Sequence, residues 1–223
     1  MIRIQNRLSF KYYLSLSLLI VALLSLLFAP DAGAFYENDF QTEVKVQKLS
    51  QSLCGRTRPI HFAGVATVVL KLLNLVGAQR LYLGQKDYQQ YRVLSQMVKD
   101  LAVQVETRLC PIVREKDGLA MSSRNVFLSK AERLQAPAIF RALEEAEKIV
   151  KKGVRSAGPL RRTVLSRLRR IKGAKVDYVE VVDAVSLEPV VQLKFGRQVL
   201  VAVAAYFSKA RLIDNRLIRV GKG

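Results

Sequence analysis

A chain of 223 residues that is 50% hydrophobic can bury a substantial core as one large or two modest domains, which excludes a disordered polypeptide. Its 37 Lys and Arg against 18 Asp and Glu leave a net charge of +19, so an anionic partner or substrate is the first expectation, without choosing among nucleotide, nucleic acid and lipid. Two cysteines, Cys54 and Cys110, and a single histidine, His61, argue against a zinc site of ordinary spacing and against a disulfide framework.

The chain opens with Arg3, Arg7 and Lys11, an uncharged run from Tyr12 to Ala29, and the small-x-small triplet "AGA" at Ala32 to Ala34. Read alone, this is an export signal or membrane anchor, with a buried core strand or helix as the alternative. The run sits at the short end of the roughly 17 to 25 residues that a spanning helix requires. Further on, Val65, Val68, Val69, Leu72 and Val76 recur at helical spacing, so "GVATVVLKLLNLV" is a predicted amphipathic helix opened by Gly64. "RLYL" from Arg80 reads as a short buried strand. Tyr91, Leu94, Met97, Val98 and Leu101 then repeat with a helical period, and Val103, Val105, Thr107 and Leu109 alternate as a strand does. Strand, helix and strand in this order predict parallel α/β organisation. After the polar loop Arg114 to Asn125, Ser129 with Glu132 forms a capping box that begins a helix ending near Gly153. A second helix after Pro159 is basic on one side and apolar at Leu160, Val164, Leu168 and Ile171, and strands around "VDYVEVV" and "QVLVAVAAY" come last. An α/β domain before the Arg114–Asn125 loop and a smaller α+β domain after it are therefore expected.

Two loops carry the candidate chemistry. In "GQKD", Gly84 lets a ligand approach the backbone, Lys86 offers an ammonium, and the next helix presents its unpaired N–H groups, all of which suit an anion. Asp87 followed three residues later by Gln90 is equally a capping-box pattern, so the tetrad alone leaves both readings open. In "GLAMSSRN", Ser122, Ser123 and Arg124 can wrap phosphate oxygens, and the same residues make an ordinary surface loop. The pair favours ligand binding, because both loops would follow consecutive parallel strands, where open α/β sheets bind ligands.

The segments "HFAGVATVVLKLLN" from His61, "GQKDYQQ" from Gly84, "DGLAMSSRN" from Asp117 and "ARLIDN" from Ala210, with "DYVEVVDA" at Asp177, stand in one order along the chain. Together they resemble the pantothenate synthetases, the pantoate–β-alanine ligases of the nucleotidyl-transferase-like Rossmann group, from about Leu26 to the C-terminus. The resemblance implies a partial Rossmann-like parallel sheet over 26–113, a smaller C-terminal lid domain over 114–223, and an apolar segment 1–25 outside the match. It implies ATP-dependent ligation: pantoate's carboxylate attacks the α-phosphorus of ATP, and β-alanine's amine then displaces AMP from the pantoyl adenylate. By the same likeness Gly84, Gln85, Lys86 and Asp87 contact ATP, Gln90 holds pantoate, Val113 lines the adenine site, and Met121, Ser122, Ser123 and Arg124 form the loop that closes on the triphosphate. Lys86, Ser122, Ser123 and Arg124 would neutralise the developing pyrophosphate, with Mg²⁺ bridging its oxygens. Where the family more often has Glu, this chain has Gln85, which removes a charge and keeps an acceptor.

The family's "PTMGxLHxGH" signature has no counterpart in the chain, so no catalytic residue is assigned, His61 is expected to pack structurally near the start of its helix, and little ligase activity is expected. "LLFAP" corresponds to a family sheet strand, which turns the expectation from export towards the cytoplasm; a sheet lacking neighbouring strands would expose an apolar face and an open edge. Family members are typically homodimers. The ten basic residues from Lys151 to Lys175 are the case for nucleic acid, but their helix keeps its apolar stripe and carries no aromatic for base stacking, so a solvated face is expected and neither nucleic acid nor membrane is the expected partner.

Overall fold

The computed structural model describes residues 35–36 and 38–221, and its contacts divide the chain into units 1–42 and 43–223. In the first unit the Tyr36 ring meets Phe35 and Phe40 edge to face, with centroids 5.1 and 5.0 Å away. The run from Tyr12 to Ala29 and the triplet at Ala32 to Ala34 lie outside the described residues. Among the described residues no helix is long and apolar enough to cross a membrane.

In the second unit, helix α1 spans His61–Val76 and ends where Gly77, at φ 63°, returns its N–H to Leu73 O at 3.0 Å, the left-handed stop that glycine accepts without a Cβ clash. It begins three residues before Gly64, because a turn closed by His61 N–H on Arg58 O already sets helical geometry. Strand β1, Arg80–Gly84, leads into helix α2, Tyr88–Asp100, and strand β2, Glu106–Cys110. The two strands are parallel, in register from Arg80 opposite Glu106 to Gly84 opposite Cys110. Ala66 and Leu73 of α1, Leu83 of β1, and Leu94, Met97 and Val98 of α2 form one buried cluster against this sheet. β1 is less buried than its apolar sequence suggests: only Leu83 is buried and Tyr82 is exposed, since β2 is its only partner among the described residues. β2 starts later than the alternation predicts. The end of α2 consumes the intervening residues: Ala102 turns left-handed at φ 49° and Val103 N–H reaches back to Val98 O, a Schellman-type closure.

The capping box at Ser129 forms, with Ser129 Oγ accepting from Glu132 N–H and Glu132 accepting from Ser129 N–H. The helix it opens, α3 (Lys130–Gln135), stops before Pro137, and α4 runs separately over Ala138–Lys151; a proline lacks the N–H that continuous helix requires. Helix α5, Ala157–Arg169, takes Pro159 into its first turn, where the missing donor is harmless. Strands β3 (Lys175–Asp183), β4 (Gln198–Tyr206) and β5 (Arg211–Arg219) form an antiparallel sheet in the order β3-β4-β5. Every residue of β4 between its ends is buried. Val199, Val201, Val203 and Ala205 pack under Leu143 of α4 and Leu160, Val164 and Leu168 of α5, while Leu200 and Ala202 turn the other way, against Leu53, Phe62 and Tyr88. β4 is thus the seam through which the antiparallel sheet meets the α1/α2 region. Within the basic stretch, Arg155 donates to Val150 O, Arg161 to Val179 O, and Arg167 pairs with Glu145 at 2.7 Å, so part of that charge serves the fold.

Glu132 does more than cap. Its second oxygen accepts the N–H of Ser208, in the turn between β4 and β5, at 2.8 Å. These bonds from Ser208 and Ser129 hold its carboxyl down to about 2 from the usual 4.5. A depressed folded-state value stabilises the fold fully above the unfolded value and loses that contribution as pH falls through the folded one. Denaturation midpoints should therefore drop between pH 4.5 and 2 in the natural chain, and Glu132→Gln should flatten that part of the profile.

Candidate active site

The chain leaves β1 through Gly84, makes a 3₁₀ turn over Gln85–Asp87 and enters α2. A Cβ added at Gly84 would meet nothing within 4 Å, so packing does not demand glycine here; it leaves the backbone bare on an open side. Asp87 occupies the N-cap position at φ −98° and ψ 50°, but its side chain makes no cap hydrogen bond. Its carboxylate lies 3.6 Å from Lys86 Nζ instead. The capping-box reading of Asp87 and Gln90 is not realised. Of the two adjacent glutamines, Gln89 is structural: its amide accepts from Cys54 N–H and donates to Leu49 O and Ser52 O.

After β2 the chain folds back on itself, with Arg114 bridged antiparallel to Ala120 and Met121 N–H donating to Val113 O at 3.0 Å. Gly118 sits at φ 92°, and a Cβ there would lie 2.3 Å from Phe140 Cδ1. Phe140 supports the Arg114 guanidinium, 4.2 Å from its ring centroid. Ser122 Oγ accepts from Arg124 N–H at 3.2 Å and opens a 3₁₀ turn over Ser123–Phe127.

Both loops border one cavity of about 480 Å³. Lys86, Asp87 and Gln90 line it from the first loop and α2, Arg124 from the second, and Arg58, His61 and Arg211 from elsewhere. Arg211 is held rigidly: its Nε and Nη2 donate to Asp177 Oδ2 at 3.0 and 2.7 Å, and Tyr178 and Tyr206 lie with ring centroids 5.6 and 5.7 Å from it. Four cationic side chains against Asp87 and Asp214 on the wall make this space attractive to an anion. The apolar part of the lining is Leu53, Phe62, Leu200, Ala202, Val203 and Ile213. Burial pushes the Tyr178 phenol up to about 12. Among the candidates, Gly84, Gln85, Val113, Met121, Ser122 and Ser123 are not on this wall; Val113 and Met121 are 66% and 51% exposed. A second chamber of about 10 Å³ is lined by Lys86, Ser122, Asn125 and Asp214 among others, which puts the lysine and serine loops beside each other.

His61, expected only to pack, lines the cavity as the first residue of α1. Partial burial and then Arg58 lower its pKa below 6.5, Arg124 and Arg211 add to this, and Asp87 opposes it. "RPIH" and "ARLIDN" place Arg58, His61 and Arg211 inside or next to the motifs of the chain, so a signal for them exists in the sequence, but nothing in linear spacing shows that they converge.

Fold and site together define an α/β protein with a cationic cleft beside the carboxyl ends of two parallel strands, the region where open α/β sheets bind ligands. The profile of the Pantoate-beta-alanine ligase family matches residues 16–217. The chain is 52% identical over 191 residues to the pantothenate synthetase of Thermotoga neapolitana, covering 86% of this chain and 68% of that protein. It is 50% identical over 193 residues to that of Acetivibrio thermocellus, with the same coverages of 86% and 68%. The crystal structure of pantothenate synthetase from Thermus thermophilus superposes with a TM-score of 0.81 at 40% identity, over 95% of this chain and 75% of that one. The Francisella tularensis pantoate-beta-alanine ligase, crystallised with beta-gamma ATP and beta-alanine, gives 0.64 at 31% identity, over 92% and 69%. This chain belongs to the pantoate–beta-alanine ligase family.

Because His61 is the single histidine, its ring resonance needs no assignment. Its NMR titration midpoint should lie below 6.5, rise in Arg58→Ala and fall further in Asp87→Asn, in keeping with the charges around it.

Proposed function

We propose that this chain serves the ATP-dependent ligation of pantoate to β-alanine, which gives pantothenate, AMP and pyrophosphate, with little turnover of its own. The observation that carries the reading is a cavity lined by Lys86 and Gln90 from one loop and helix and by Arg124 from the other. A pantoate carboxylate oxygen attacks the α-phosphorus of ATP, and the bond to the β-phosphate oxygen breaks. The neutral amine of β-alanine then attacks the acyl carbon of pantoyl adenylate, AMP leaves with the bonding pair, and the amine proton passes to solvent. No covalent enzyme intermediate is needed; the protein's part is alignment and charge neutralisation.

In this reading Gly84, Gln85, Lys86 and Asp87 bind ATP together with Val113, Met121, Ser122, Ser123 and Arg124, and Gln90 binds pantoate. Lys86 and Arg124 already face the cavity; Ser122 and Ser123 add their hydroxyls when that loop folds over the triphosphate. The division of labour runs near residue 114, between an ATP-binding half domain and a lid. Mg²⁺ would enter with ATP and help Lys86 and Arg124 neutralise its phosphate charge. A homodimer in the cytoplasm, where ATP is supplied, completes the proposal.

ATP should raise the melting temperature of the natural chain and slow its proteolysis, and Lys86→Ala should abolish both effects. Equal protection of the variant, or none of the natural chain, would refute the assignment.

A further inference from the structure

Asp214 and Asn215 are 4% and 3% exposed, adjacent on β5, and bonded to different loops. Asn215 Nδ2 donates to Gln85 O at 2.8 Å and to Lys86 O at 2.9 Å, and its Oδ1 accepts from Gln85 Nε2 at 3.3 Å. Asp214 takes both terminal nitrogens of Arg114, at 2.7 and 3.0 Å, and Arg114 Nη1 also donates to Gly118 O at 3.0 Å. Asp214 Oδ1 further accepts the backbone N–H of Asn215 at 2.7 Å, which ties the Asp214 carboxylate to the strand itself.

We propose that Asp214 and Asn215 are a positioning pair that sets the separation of the Lys86 loop from the Ser122–Arg124 loop, using the antiparallel sheet as the common rigid support. Neither residue is offered as a ligand-binding group. An amide is required at 215, since only a side chain with two N–H donors and a carbonyl satisfies two peptide oxygens and one glutamine at once. A carboxylate is required at 214, since a planar acceptor pair matches the guanidinium fork. A strand interior is the right mount: β5 cannot shift without breaking its ladder to β4, paired from Tyr206–Arg211 to Gln198–Arg219. The proposal goes beyond the ligase reading, because it concerns how the loops are held whatever fills the cleft.

The test has one arm without ligand and one with ATP. In hydrogen exchange on the full chain, Asn215→Ala should speed exchange about tenfold in peptides covering 84–90, as expected when buried acceptors lose their donor, and leave 114–124 nearly unchanged. Asp214→Asn should do the reverse, and Asp214→Glu should restore most of the protection. Glu147→Gln, which releases Arg216 on the same strand, should lower stability without loosening either loop. By calorimetric titration Asn215→Ala should weaken ATP binding about tenfold while Glu147→Gln leaves it unchanged. Exchange that rises uniformly along the chain in the 214 and 215 variants, or ATP affinity that falls equally in Glu147→Gln, overturns the proposal. If the natural chain takes up no ATP, the ligase reading fails while the exchange arm still decides the role of the pair.

Discussion

The parallel pairing of Arg80–Gly84 with Glu106–Cys110 is the constraint on which the site depends. Once Gly84 stands opposite Cys110, both chain exits leave the same edge, and whatever the two succeeding loops carry must share a neighbourhood. Two strands of this length are marginal alone. They persist because Leu94, Met97 and Val98 of the crossover helix seal one face together with α1, and because β4, buried on both faces, brings the second sheet up as the wall that carries Arg211 to Asn215.

The charges of the cleft are arranged by partners. Asp87 stands beside Lys86 and Asp177 tethers Arg211 at the cavity, while Asp214 on its wall grips Arg114 of the neighbouring loop. A buried ion pair such as Arg114–Asp214 adds little net stability, since desolvation of both ions offsets their attraction. What such pairs supply is direction, since each cation loses rotamers it would otherwise explore and its ordering cost is met by folding.

Much of this is readable in one dimension. Period and capping chemistry locate α1, α2, the Ser129 box and the apolar stripe of α5, because those features depend on neighbours three or four residues away. Across Pro137 the sequence predicts one continuous helix, since periodicity survives a break that keeps both halves against the same core. β5 gives no such signal, because its most buried polar residues, Asp214 and Asn215, look like turn formers until their partners at 85, 86 and 114 are known. His61 looks like packing for a similar reason: its companions Arg58, Arg124 and Arg211 come from three separated stretches, and convergence is a tertiary fact. The two loops that border the cavity are thus legible in the sequence, while the third wall, built from β5, is not.

Gly118 shows how far such orientation reaches outside the cleft. The ring of Phe140 occupies the place a β-carbon at 118 would take, and the same ring props Arg114 from below. A single aromatic on α4 therefore shapes the hairpin in two ways, by exclusion at its tip and by stacking at its base. Bulk lost from the helix at that point would leave the hairpin without its mould, and bulk gained at the tip would push the mould away, so size must be matched across the two elements as tightly as in any core.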